Sequence, residues 1–204
     1  AGDFNAAFDT YARALREDPS NETTQQSIDR VARAVSRFRD LAEVYKSLAG
    51  GTEDAQLSTT LFVMAARVHE SDLNEADEAI ALYRKVLGID PNHLDAAQSL
   101  ERIFRATERY KELSEVLQQK ANILSEPQDR KEALFQAASI EEDVLERPEA
   151  AIAVYNKVLE QDGEDVRAMD ALIKRYIGLG RWADLMSVYA RKAELVLDPE
   201  EKKR

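Results

Sequence analysis

The sequence predicts an all-α protein, an α-solenoid of antiparallel helix hairpins with about eleven helices, and three observations carry that prediction. The first is a repeat with a step of 72 residues: Tyr11, Tyr83 and Tyr155 are in register, as are Leu15, Leu87 and Leu159, and Asp18, Asp90 and Asp162. A second group keeps the same step, with Arg37, Arg109 and Arg181 each followed by an aromatic (Phe38, Tyr110, Trp182), then by Leu41, Leu113 and Leu185 and by Val44, Val116 and Val188. Self-similarity at a fixed period means that each unit buries its apolar face against its neighbours, so a stacked array is expected in place of one closed core. The second observation is helical spacing of apolar residues throughout a period. The third is punctuation: Pro19, Pro91, Pro127, Pro148 and Pro199 sit at or near expected helix ends, and none interrupts a periodic stretch.

Taken in order, residues 1–17 are the second helix of a hairpin whose first helix is missing, residues 3–17 corresponding to 75–89 and 147–161. Hairpins follow over 21–50, 53–89, 93–126, 127–162 and 165–197, and 198–204 reads as the start of a further helix, with Asp198 as N-cap, Pro199 at the first helical position and Glu201 as a capping-box acid. One period shows the logic. From Glu75, the residues Ala79, Ile80, Tyr83, Val86 and Leu87 keep one helix face and stop at Asp90-Pro91; Asn92 is the expected N-cap of the next helix, whose face is Ala96, Ala97, Leu100, Ile103 and Phe104. A third helix runs from Tyr110 through Leu113, Val116, Leu117 and Ala121, and a fourth from Gln128 through Leu134, Ala137, Ala138, Ile140 and Leu145. Short connections make sequential helices antiparallel, so a period is two hairpins. The whole is expected to be one solenoid segment, a fragment of a longer array. Its uncapped ends would favour head-to-tail stacking of copies.

The stretch from Arg167 to Pro199 resembles a tetratricopeptide repeat: Leu172, Tyr176, Gly180, Trp182, Leu185 and Tyr189 fall on that motif's large and small positions. The preceding hairpin, with Ala137 and Ala138 in its first helix and Ala151, Ile152, Tyr155 and Val158 in its second, is similar, with about one extra residue in its turn. The resemblance covers the chain and implies a right-handed superhelix. Departures occur where the family prefers a small residue, at Asp29, Glu101 and Ile173. The aromatic columns read as packing, with Trp182 a wedge at a helix start.

Composition narrows function. With 44% hydrophobic and 33% charged residues, the chain has the make-up of a soluble helical protein. A net charge of −11 argues against nonspecific nucleic-acid binding, which needs a surplus of Lys and Arg. The absence of cysteine excludes disulfides and thiolate chemistry, and no run of eighteen apolar residues is present, so no membrane insertion is expected. A cytoplasmic location is expected, and the periplasm is equally compatible with the cysteine count. No catalytic, metal or cofactor site is legible. His69 and His93 lie on different helices and read as solvated; Gly50-Gly51 reads as an inter-helix turn; Glu141-Glu142 and Glu200-Glu201 read as exposed pairs.

By the resemblance, first helices line a concave groove, whose positions here are Gln26, Arg30 and Arg33, then Gln98, Arg102 and Arg105, then Asp170 and Lys174, with Arg67 from an alternate first helix. Arg30, Arg102 and Lys174 are in phase. Such a column could guide an acidic protein or peptide segment into the groove, whereas Glu70, Glu132 and Glu142 on the alternate helices would segment it. The competing reading is an ordinary solvated network in which Arg30 pairs with Asp29 neighbours or with carboxylates on adjacent hairpins. The chain lacks the Lys and Asn constellation that chaperone-binding members use on a terminal carboxylate. The expected function is a noncatalytic protein–protein interaction scaffold. A structural spacer, or a regulatory domain appended to an enzyme, are the alternatives.

Overall fold

Capping and turn chemistry fix the helix ends before any tertiary packing is considered. The computed structural model describes residues 3–201, and the regular structure of the described residues is helical throughout. Eleven α-helices run as α1 (Phe4–Glu17), α2 (Glu22–Val35), α3 (Phe38–Gly51), α4 (Ala55–Arg67), α5 (Ala76–Ile89), α6 (Leu94–Ala106), α7 (Tyr110–Ile123), α8 (Pro127–Ser139), α9 (Pro148–Gln161), α10 (Val166–Gly178) and α11 (Trp182–Glu201). Asp3, Asn21, Asp54 and Asp165 each cap a helix by accepting backbone N–H bonds on the side chain, and Pro127 and Pro148 open α8 and α9, where a missing N–H costs nothing.

The 72-residue step is written into the backbone as well as the side chains. Ser36, Glu108 and Gly180 all take the left-handed conformation, at φ 57°, 56° and 66°. At each, the next residue's N–H reaches back across the helix end: Arg37 to the Ala32 carbonyl at 3.0 Å, and Arg109 to Phe104 and Arg181 to Tyr176 at 2.9 Å. This is the Schellman closure of α2, α6 and α10. The alternate first helices end differently. α4 and α8 each run into a five-residue π-turn, Val68–Asp72 and Ile140–Val144, followed by a left-handed residue, Asn74 or Glu146. The extra residue expected in this hairpin is thus absorbed as a widened last turn.

Two compact units form, residues 1–103 and 104–204. In the first, α1 packs on α2, and α4 packs along both α3 and α5, while α2 and α3 meet at few points. Residue size accounts for the difference. Ala65 and Ala66 of α4 and Ala79 of α5 are wholly buried and let backbones approach, whereas the corresponding small position of α2 holds Asp29. Tyr45 still ties α3 to α2, donating its hydroxyl to the Gln25 carbonyl at 3.2 Å. In the second unit α8 packs on α7 and α9, and α10 on α9 and α11. Its core runs through Leu113, Leu117, Leu134, Met169 and Leu172.

Several sequence expectations are corrected here. The N-cap of α6 is His93, not Asn92: its Nδ1 accepts the Ala96 N–H at 3.2 Å, while Asn92 donates its own N–H to Asp90 in a turn. Gly50 and Gly51 close the last turn of α3 and do not form the loop. No new helix begins at Asp198, because α11 continues unbroken to Glu201. Extending a formed helix adds one bond per residue, whereas a restart requires a fresh nucleus. The side chains of Glu200 and Glu201 lie outside the described residues. Trp182 is no wedge. It is 62% exposed, whereas Phe38 and Tyr110 in its column are half-buried.

Candidate protein-binding site

Within the first unit, α2 and α4 diverge and leave a cleft of ≈ 510 Å³. Glu22, Gln26, Asp29 and Arg33 of α2 form one wall, Thr60, Met64 and Arg67 of α4 the other, and Val68 of the π-turn lies at the end of α4 in the same lining. Helical periodicity makes both walls: 22, 26, 29 and 33 share a face of α2, and 60, 64 and 67 a face of α4. Gln25 beneath them is buried and spends its amide on the Pro19 carbonyl at 2.7 Å, so Gln26 is the wall residue with an exposed amide.

Charge in the cleft is mixed. Arg33 donates to Asp29 at 3.0 Å and to Asp72 at 2.6 Å. These bonds, first of all that to Asp29, raise the pKa of its guanidinium and lock it as a strut between α2 and the π-turn. Arg67 is looser, with Asp95 at 3.8 Å and most of its side chain exposed. The cleft therefore offers one anchored cation, one loosely held cation, an exposed amide and the half-buried apolar side chain of Met64 over buried Val68.

The other groove residues are distributed unevenly. Arg30 is exposed, and the network that the competing reading drew for it forms through Arg33, which holds Asp29 from one turn further on and reaches Asp72 after α4. Arg102 sits on Glu70. Gln98 and Arg105 lie on α6, exposed. Asp170 is bound by Lys192, and Lys174 is exposed. Among the described residues, neither Arg30 nor Lys174 makes an ion pair. The structure thus brings Gln26, Arg33 and Arg67 together in one cleft, and spends Arg102 on an internal contact.

Sequence reasoning missed two buried polar clusters at the π-turns. His69 is 7% exposed, not solvated, and its Nδ1 lies 2.9 Å from Glu75, which also binds Arg39. One period later the polarity is exchanged: buried Glu141 faces Arg147 at 3.2 Å. Glu142 pairs with Arg175, so the Glu141-Glu142 pair is no exposed surface feature. Burial lowers the pKa of Arg175. The signal available in the sequence was the exchange itself, His69/Glu75 against Glu141/Arg147 at one period's separation. Among the described residues no cluster of three potential metal ligands occurs, and no helix is long and apolar enough to cross a membrane.

Two tetratricopeptide repeat models match the chain, one over residues 60–93, from α4 through α5, and one over 96–131, from α6 into α8. With the hairpins and the period, they show a tetratricopeptide-like repeat array. Comparison with curated proteins gives no match. Solved structures similar to the chain include the MamA protein, at 16% identity and a TM-score of 0.45 over 84% of this chain and 90% of that one. A tetratricopeptide repeat protein from Parabacteroides merdae is 16% identical, with a TM-score of 0.45 over 92% of this chain and 71% of that one. YrrB, described as a TPR protein with an unusual peptide-binding site, is 21% identical, with a TM-score of 0.38 over 75% of each chain. None aligns closely enough to lend a residue role. In general terms, the repeat array places the chain among protein–protein interaction scaffolds.

Proposed function

We propose that this array is a noncatalytic scaffold that binds an extended acidic peptide segment in the α2/α4 cleft. The observation that carries the reading is the lining of that cleft, where half-buried Met64, over buried Val68, lies beside the loosely held Arg67 and the exposed Gln26. A preformed cleft binds with little ordering cost on its own side. Arg67 would meet a carboxylate, Gln26 the peptide backbone, and Met64, being unbranched and polarizable, would adapt to an apolar side chain. Exposed Arg30 on α2 adds to the attraction of an acidic segment.

A spacer role is the second reading, and a specific observation favours it: Arg33 and Arg102, two of the expected groove cations, are consumed by internal ion pairs. An array of immobilised peptides graded in acidity and in apolar content separates the two. The scaffold reading expects retention of acidic peptides that carry an apolar side chain, reduced at least about tenfold in R67E and in M64E. Indifference to both substitutions, or no retention at all, would return the segment to a spacer.

A further inference from the structure

Of the four charged side chains that line the α2/α4 cleft, two are spent on the protein itself. Asp29 is taken by Arg33, and Arg33 is held again by Asp72. The two that remain stand at opposite ends. Glu22 opens α2, exposed and, among the described residues, without an ion pair. Arg67 closes α4, where Asp95 reaches it only at 3.8 Å and both side chains are mostly exposed. Because α3 turns back between them, α2 and α4 run the same way, so the start of α2 and the close of α4 mark the two mouths of the cleft. One mouth is acidic and the other basic.

The fold requires neither charge. One period after Glu22, α6 opens on Leu94, and at the next step α10 opens on Val166. One period after Arg67, α8 closes on Ser139. An acid at a helix start and a cation at a helix end suit the helix dipole, yet the equivalent helices form without them. Packing positions such as Tyr11, Tyr83 and Tyr155 repeat at the 72-residue step, and these two charges do not. Spacing then limits what can bridge them. Arg33 is in the last turn of α2 as Arg67 is in the last turn of α4. From Glu22 to that turn is about 16 Å of helix, which about five residues of extended chain span.

We infer that the segment bound in this cleft is dipolar, with a basic side chain facing Glu22, an acidic one facing Arg67 about five residues away, and an apolar one between them against Met64. The inference rests on the reading of the cleft as a peptide site and adds which charge the ligand carries at each end. Attraction at both mouths selects such a segment, and repulsion from Glu22 discriminates against one that is acidic throughout.

The test measures, by fluorescence anisotropy, the affinity of the whole chain for three labelled peptides with blocked termini. Each carries a central leucine and two acids at one end; the other end carries Lys, Ser or Glu. The expected order is Lys tightest and Glu weakest, about threefold at each step. E22K should invert the order, and E78K, the same change of net charge on an exposed residue of α5, should keep it. Leu94 and Val166 at the position equivalent to Glu22 show that a helix start tolerates the loss of this acid, and circular dichroism verifies the fold of E22K. A preference for Lys that survives E22K, or that E78K reduces equally, overturns the dipolar assignment; if R67E still weakens binding, the cleft remains a peptide site. Binding of none of the three peptides overturns both readings.

Discussion

Arg102 donates through both Nε and Nη2 to one carboxylate oxygen of Glu70, at 2.9 and 2.6 Å, while the other oxygen accepts the Tyr83 hydroxyl at 3.0 Å. The contact joins α6 to the π-turn after α4, and it removes Arg102 from the groove cations. One period later the partnership slips by a residue. Glu142 takes Arg175, and Lys174, the true counterpart of Arg102, stays exposed.

Glu70 is the shared acceptor, and its side chain is only 17% exposed, so its loss should exceed that of Arg102, which is 62% exposed. E70A removes the carboxylate acceptor of the buried Tyr83 hydroxyl, leaving only Ser99 beside it, and should destabilise by about 1–3 kcal/mol, against under about 1 kcal/mol for R102A. Urea unfolding of both variants and of the double variant checks the order; equal effects would show that the Tyr83 bond contributes nothing.

The three left-handed helix ends make an internal comparison. Ser36 and Glu108 hold a conformation that Gly180 adopts without steric penalty. E108G should stabilise by about 0.5–1 kcal/mol and G180A should destabilise by a similar amount, the strain relieved being partly offset by the greater freedom of glycine when unfolded. Thermal melts with opposite signs are the expected result.

Acid should weaken the first unit at the π-turn. The hydrogen bond with His69, and then the Arg39 charge, hold Glu75 below the ordinary glutamate value of 4.5. The folded state therefore favours the ionised form, so this contribution is complete above about pH 4.5 and is lost as pH falls below it. In the second unit Asp162, held below 3.8 chiefly by Lys131, behaves likewise. The E75Q variant should lose less stability than wild type between neutral pH and acid. Parallel pH profiles would contradict the assignment.

The helices were legible because they repeat: period, apolar spacing and proline punctuation each survive without tertiary information. Their ends were less so. Nothing in Ser36 or Glu108 advertises a left-handed residue, and only the glycine at position 180 signals what the other two do by context. Ion pairing was hidden for a different reason. Arg102 and Glu70 are 32 positions apart, and which of Lys174 and Arg175 takes Glu142 depends on a one-residue difference in orientation that no spacing rule decides. His69 was misjudged because histidine is amphipathic, and its burial follows from Glu75 arriving beside it after the π-turn. Trp182 failed as a wedge because, among the described residues, no helix covers the side of α11 that carries it; the column predicted its position but not its cover.

The central claim is that the α2/α4 cleft binds peptide. The most direct measurement is backbone amide chemical-shift mapping during titration with an acidic peptide that carries one leucine. The account predicts saturable shifts confined to residues 22–33 and 60–68, and their loss in R67E; shifts elsewhere alone, or none at saturating peptide, would contradict it.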